Sequence, residues 1–165
     1  MSRLSIQFFS IVLFLNVQLL QGQNHFFFTE TNDYQAIILH QLTLRGGPLE
    51  IGDEIGVFDG SLCVGAKIYE NQEWQQVQGW VDDPQTWGSP DGFIAGHEIE
   101  FRFWDSILGQ ELEIENIEYI EAEGYDTSGN FNASVLTSVN LTALAPEHFS
   151  YVETEYIYAE VIILN

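Results

Sequence analysis

The sequence predicts an all-β fold, an antiparallel β-sandwich of jelly-roll or immunoglobulin-like type that follows an N-terminal signal peptide. Apolar and polar residues alternate with a period of two in Tyr34–Leu44, Glu98–Asp105 and Phe131–Leu141, which is typical of strands. Clusters of Gly, Pro, Asn and Asp separate the apolar segments and predict turns. Asp59-Gly60 lies between two apolar runs, which is a strong hairpin signal. No helix is predicted after the signal peptide.

The first half of the chain predicts one long strand and one hairpin. Gln35–Leu44 carries apolar residues on both faces, so both faces of this strand should be partly covered. Gly and Pro in Arg45–Pro48 end it. Glu54–Phe58 and Leu62–Tyr69 then form the predicted hairpin. Its turn is placed at Asp59-Gly60, because both central positions of such a turn need positive φ.

The second half predicts strands on either side of a long loop. Trp74–Val81 is polar on alternate residues, and Asp82–Gly96 is rich in Gly and Pro. Loops of this length in a compact domain are usually functional or packed on themselves. Glu98–Asp105 is a cleanly alternating strand. In Leu112–Ala122 the apolar register shifts, which predicts a bulge near Asn116.

Two further predicted strands, Phe131–Leu141 and Tyr151–Leu164, complete an antiparallel sandwich. The second of these is strongly β-prone and has two possible fates. It can close its own sheet, or it can add to the open edge of a neighbouring molecule. The predicted core residues are Phe58, Val64, Ile99, Phe101, Phe103 and Val135.

The N-terminus has the pattern of a secretory signal peptide. Arg3 is the positive residue, Leu4–Leu20 is the apolar stretch, and Gly22 is the small residue at the cleavage point. A membrane anchor is the alternative, but polar residues interrupt the stretch and it is short for a spanning helix. We therefore expect a signal peptide over 1–22, one domain over 23–165, and a secreted or cell-surface protein with no membrane insertion after cleavage.

Charge and cysteine content restrict the partners and the cross-links. The predicted mature chain carries 25 acidic residues against Arg45, Lys67 and Arg102, a formal charge of −22. Such a surface repels nucleic acid and anionic lipid, and it favours solubility and cations. Cys63 is the single cysteine, so no intrachain disulfide can form. We expect its side chain to be buried as a small apolar group.

Several short motifs in the middle of the chain form one pattern. They are Gly52–Gly60, Leu62–Ala66, Trp80, Asp82-Asp83-Pro84, Asp91-Gly92-Phe93, Phe101–Asp105 and Ser134–Ser138. This pattern resembles a repeated extracellular β-sandwich module of secreted bacterial multidomain proteins, over residues 28–141. The resemblance implies a β-rich module of bacterial origin that acts outside the cell and has no assigned activity.

Carboxylates at strand ends and in loops are candidate ligands for Ca²⁺, which takes six to eight oxygen atoms. Their spacing does not match an EF-hand loop. The alternative is turn chemistry, because Asp side chains at turns accept hydrogen bonds from nearby backbone N–H groups. Calcium is therefore the one candidate cofactor, and its candidate ligands are Asp53, Asp59, Asp82, Asp83 and Asp91.

Exposed tryptophans would allow stacking on sugars. Trp80 and Trp104 lie in predicted strands, so we expect them in the core. Trp87 lies in the long loop and is the candidate ligand contact. Arg102 lies in mid-strand, and we expect it to form a structural ion pair rather than to contact a ligand. A surface Arg102 has many carboxylates to choose from, whereas a buried one would pair with Asp82 or Asp83.

Catalytic motifs are not found in the sequence. The four histidines lack metal-ligand spacing, and no Gly-x-Ser-x-Gly motif occurs. We therefore expect a non-catalytic binding or structural module. Its expected partners are other extracellular proteins, with polysaccharide or further copies of itself as alternatives. The alternative functions are a carbohydrate-binding module and a subunit of an extracellular polymer assembled by β-strand addition.

Overall fold

The computed structural model describes residues 25–45 and 49–144. Every regular element in these ranges is a β-strand, which confirms the all-β prediction. The predicted signal peptide and the predicted strand Tyr151–Leu164 lie outside the described residues. The strands are β1 (Tyr34–Arg45), β2 (Glu54–Asp59), β3 (Leu62–Ile68), β4 (Gln75–Trp80), β5 (Glu100–Asp105), β6 (Gln110–Tyr119) and β7 (Thr137–Leu144).

The seven strands form one mixed sheet in the order β3-β2-β5-β6-β7-β1-β4. Five of the six neighbouring pairs are antiparallel, and β1 and β7 are parallel, with Ile37 opposite Thr137. The expectation of a purely antiparallel arrangement is therefore wrong at this pair. Division into two packed sheets is not confirmed, because the hydrogen-bonded order is continuous.

Strand β6 lies between β5 and β7 and pairs with each of them over a different part of its length. Its first residues, 110–112, pair with β5, whereas 113–119 pair with β7. The register shifts between Ile114 and Asn116, which confirms the predicted bulge near Asn116. A bulge bends a strand and increases its twist, and this one lies within the pairing with β7, after the pairing with β5 has ended at Leu112.

The edge strands β3 and β4 meet, so the sheet is nearly closed. Gly65 of β3 lies against the backbone of Gln78 and Gly79 in β4. Gln75 at the start of β4 reaches the end of β3. With its amide turned to satisfy both partners, it donates to the carbonyl of Ile68 and accepts from the N–H of Glu70, each at 3.0 Å.

The β2–β3 turn differs by one residue from the prediction. Asp59 is the last residue of β2 and pairs with Leu62, so the central turn residues are Gly60 and Ser61. Gly60 has a φ of 59°, and Ser61 is not among the residues with positive φ. A turn with positive φ only at its first central residue is of the II′ kind, in which glycine is preferred.

The core lies inside the curled sheet. Phe93 and Phe131 stack at 4.3 Å between ring centroids and close one end of it. The predicted core residues are buried except Val135, which is half-buried because it lies in the turn before β7 rather than in a strand. The buried apolar residues of this main core are Ile37, Leu39, Leu44, Ile55, Val57, Val64, Val77, Phe93, Ile99, Phe101, Phe103, Leu112, Phe131, Val139, Leu141 and Ala143.

A second, smaller cluster lies on the outer face of β2, β3 and β5, where residues 25–28 cover it. Phe26 packs edge-to-face on Phe58 at 5.3 Å, and His25 stacks on Trp104 at 3.6 Å. Glu54, which is only 3% exposed, accepts the backbone N–H of His25 through Oε2 at 2.6 Å. Trp104 is half-buried under this segment rather than in the main core.

Candidate functional site

The loop between β4 and β5 is closed at its base by backbone hydrogen bonds. Phe93 donates to the carbonyl of Trp80 at 2.7 Å, and Asp82 donates to the carbonyl of Phe93 at 3.0 Å. Gly92 packs directly on the backbone of Val81, where a β-carbon would collide. Residues 82–92 therefore leave and re-enter the domain at one point.

Two aspartates brace the loop just above its base. The N–H of Asp91 donates to Oδ1 of Asp82 at 2.9 Å, and the N–H of Asp83 donates to Oδ1 of Asp91 at 3.1 Å. The backbone hydrogen bond from Asp83 lowers the pKa of the Asp91 carboxyl, because it favours the ionised form. The two carboxylates thus hold the arms of the loop together.

Asp83 also positions the start of the loop tip. Its Oδ1 accepts the N–H of Gln85 at 2.9 Å, and its carbonyl accepts the N–H of Thr86 at 3.0 Å. Asn32, in the segment before β1, donates its side-chain amide to Oδ2 of Asp83 at 3.3 Å. These contacts connect the tip to the body of the domain.

Trp87 lies at this tip, and its relative exposure is 101%. Gly88 follows Trp87 with a φ of 126°, a backbone conformation that residues with a β-carbon rarely adopt. A large apolar side chain with this exposure has no packing role among residues 25–45 and 49–144. This location meets the exposure that a ligand contact at Trp87 requires.

A second exposed tryptophan, Trp74, precedes β4 and was not singled out from the sequence. It is 58% exposed and borders a shallow depression of about 350 Å³. The exposure of Trp74 could not be predicted from its position in the sequence. It depends on neighbours from β3 and from the turn that follows β3. The depression is lined by Lys67, Gln72, Glu73, Trp74, Gln75 and Gln76.

The candidate calcium ligands lie in three separate places. Asp53 is buried, and its carboxylate accepts the N–H groups of Glu50 at 2.8 Å and Ser106 at 2.9 Å. Asp59 accepts Nδ1 of His97 and the N–H of Ile94, both at 2.9 Å. Each therefore connects two chain segments through hydrogen bonds.

Asp82, Asp83 and Asp91 are the only candidates that share one loop. Across residues 25–45 and 49–144, no group of three or more His, Cys, Asp or Glu side chains is arranged to hold a metal ion. The geometry of the five aspartates is that of turn and bracing chemistry, the alternative to ligation in the sequence interpretation.

Arg102 does not contact Asp82 or Asp83. Its guanidinium carbon lies 3.9 Å from the ring centroid of Phe58, and Nη2 donates to the carbonyl of Gly60 at 3.2 Å. The carboxylate of Glu111 lies 4.0 Å from Nη1 and forms an ion pair with it. The expectation of Asp82 or Asp83 as the partner of a buried Arg102 does not apply, because this side chain is partly exposed and β5 pairs with β2 and β6.

Cys63 is buried on the outer face of β3, as expected. Its thiol donates to the carbonyl of Gly65 at 3.4 Å, and burial raises its pKa above the ordinary value. The thiol is therefore a packed group with little nucleophilic character at neutral pH.

In the part of the chain that the structure describes, no helix has the length and apolar character needed to cross a membrane. Comparisons of the chain with protein-family models, with curated proteins and with solved structures find no match.

Proposed function

We infer that this chain is a non-catalytic binding module of the extracellular space and that it binds polysaccharide through the indole of Trp87. The observation that carries this proposal is the complete exposure of Trp87 on a loop braced by Asp82, Asp83 and Asp91. Because the arms of the loop are already hydrogen-bonded, little ordering entropy would be lost when a ligand stacks on the indole.

The chemistry around Trp87 suits a sugar ring. An indole presents a flat apolar face together with one N–H donor, and a pyranose presents an apolar C–H face with hydroxyls at its rim. Gln85 and Thr86 precede Trp87 in the tip, and the amide of Asn32 is held by the carboxylate of Asp83 at the start of the loop. Their amide and hydroxyl groups can exchange hydrogen bonds with sugar hydroxyls.

Trp74 offers a second stacking face at the other end of β4. The strand has six residues, so at about 3.3 Å per residue it is roughly 20 Å long, and the two tryptophans lie beyond its opposite ends. The amides of Gln72 and Gln76 and the carboxylate of Glu73 line the depression beside Trp74. One extended glycan chain could contact both tryptophans.

Retention on a panel of immobilised polysaccharides tests the proposal. We expect the wild-type chain to bind at least one polysaccharide and Trp87→Ala to lose most of this binding. The melting temperature should stay nearly unchanged, because the side chain is fully exposed in the part of the chain that the structure describes. Phe27→Ala is the matched control, because Phe27 is 79% exposed and lies outside the loop and the depression.

Trp74→Ala separates the two contacts. If Trp74 is a second contact, its removal should weaken retention on long polysaccharides more than on short oligosaccharides. A wild-type chain that binds no polysaccharide, or equal losses in Trp87→Ala and Phe27→Ala, would show that the Trp87 loop is not a sugar-binding site.

A further inference from the structure

The pairing between β5 and β6 stops after three residue pairs. Phe103, Trp104 and Asp105 pair with Leu112, Glu111 and Gln110. Beyond this point β5 continues along β2, whereas β6 turns away to pair with β7. In the described pairing, the side of β5 that faces β6 has no strand partner over Glu100–Arg102.

The divergence leaves a groove of about 490 Å³ between the two strands. One end is closed by the pair of Phe103 with Leu112. Toward the other end, the N–H of Ile99 donates to the carbonyl of Gly129 at 2.8 Å, so the residue before β5 already has a backbone partner there. The groove is open to solvent and is lined by Glu98, Ile99, Glu100, Phe101, Arg102, Glu111, Leu112, Glu113, Ile114 and Ile117.

The groove has buried apolar side chains at its floor and exposed carboxylates at its rim. Ile99, Phe101 and Leu112 are buried side chains of the main core. The exposed lining residues are mainly glutamates: Glu98 just before β5, Glu100 on β5, and Glu111 and Glu113 on β6. Arg102 is the single cation of the lining, and its guanidinium is already engaged by Phe58 and the carbonyl of Gly60.

We propose that this groove docks an extended basic segment of a partner protein. Lys and Arg place apolar stems on apolar surface while their charged ends reach carboxylates at the rim. An extended backbone alongside β5 can also pair with the free side of the strand at Phe101, which is the geometry of β-strand addition.

Charge complementarity selects this occupant over the chain itself. The full chain has a formal charge of −21, so a second copy is repelled. The C-terminal segment 151–165 has three glutamates and no Lys or Arg, so it cannot neutralise the rim. An extended basic segment can neutralise the carboxylates of the rim and can also form backbone hydrogen bonds with the side of β5 that faces the groove.

Binding of a fluorescently labelled peptide of alternating Lys and Val residues, followed by anisotropy, tests the proposal. The variant Glu98→Gln/Glu100→Gln/Glu113→Gln should weaken binding by about tenfold, because three exposed ion pairs with the peptide are lost. The control Glu30→Gln/Glu50→Gln/Glu123→Gln removes the same charge from exposed positions outside the groove. It should change the affinity by less than about twofold.

Equal weakening by the two triple variants would overturn the proposal, because it would show attraction to the net charge alone. All six positions are exposed, so circular dichroism should show that both variants fold. Sedimentation of the wild-type chain at high concentration distinguishes a second copy as the occupant. A dimer that only the groove variant abolishes would replace the basic partner with self-association, whereas a monomer that binds the peptide supports the basic partner.

Discussion

Gly65 of β3 lies against the backbone of Gln78 in β4: a β-carbon at Gly65 would collide with the carbonyl oxygen of Gln78 and lie 2.9 Å from its carbonyl carbon. This contact is where the two edges of the sheet meet. We expect Gly65→Ala to lower the free energy of unfolding by about 1–3 kcal/mol, because backbone in a sheet cannot move aside cheaply. Chemical denaturation measures this difference.

Gly79→Ala is the matched control for Gly65→Ala. A β-carbon at Gly79 would meet the rings of Phe131 at 3.4 Å and Phe93 at 3.7 Å, which are ordinary van der Waals distances. The methyl group also reduces the conformational freedom of the unfolded chain. The free energy of unfolding should change by less than about 1 kcal/mol, and equal losses in the two variants would contradict closure at Gly65.

Glu54 is expected to hold the N-terminal segment on the outer face of the sheet. Its buried carboxylate accepts the backbone N–H of His25 at 2.6 Å and that of Phe26 at 3.4 Å. We expect Glu54→Ala to cost about 1.5–3 kcal/mol, the range for hydrogen bonds to a charged group. Amide exchange at His25 and Phe26 should accelerate more than exchange in β5. Uniform acceleration would indicate global destabilisation instead.

The thiol of Cys63 should react slowly in the folded protein. Burial raises its pKa, so the nucleophilic thiolate is scarce at neutral pH and the sulfur is shielded from reagents. We expect modification by a thiol-specific reagent to be slow in native buffer and fast in denaturant. Rapid modification without denaturant would contradict the buried position on β3.

The brace of the Trp87 loop should weaken in acid. The N–H of Asp83 favours the ionised form of Asp91 and lowers its pKa below the ordinary 3.8. The stabilisation of the loop by the ionised Asp91 carboxylate is therefore fully present above pH 3.8. It is lost as the pH falls through the lowered pKa of Asp91. Amide exchange at Asp83, corrected for its intrinsic rate, should lose protection in that window. In Asp91→Asn this pH dependence should disappear, and its persistence would exclude Asp91 as the cause.

Calcium is expected to leave the melting temperature unchanged. Asp53, Asp59 and Asp82 already accept hydrogen bonds from protein groups at three separate positions. Scanning calorimetry in chelator and in millimolar calcium measures the effect. A site filled at a hundredfold excess over its dissociation constant would add about 2.7 kcal/mol, so a clear rise would show ligation that the described residues do not form.

Local patterns in the sequence predicted most of the strands, because the alternation of side chains between two faces is a property of neighbouring residues. Phe101 and Phe103 are buried as their period of two required, and the bulge near Asn116 was visible as a shift in that period. The turn after β2 was misplaced by one residue, because both Asp59-Gly60 and Gly60-Ser61 place a glycine where a tight turn needs one. The sequence could not show which carboxylate lies near Arg102, because the neighbours of this side chain depend on the order of the strands.

By itself, the sequence determined the all-β character, the buried state of Cys63 and the acidity of the chain. The tertiary structure alone decided the parallel pairing of β1 with β7 and the meeting of Gly65 with β4. It also decided the exposure of Trp74 and Trp87 and the groove between β5 and β6. These features arise from contacts between segments far apart in the chain, and a local pattern of residues carries no information about which remote segment will lie beside it.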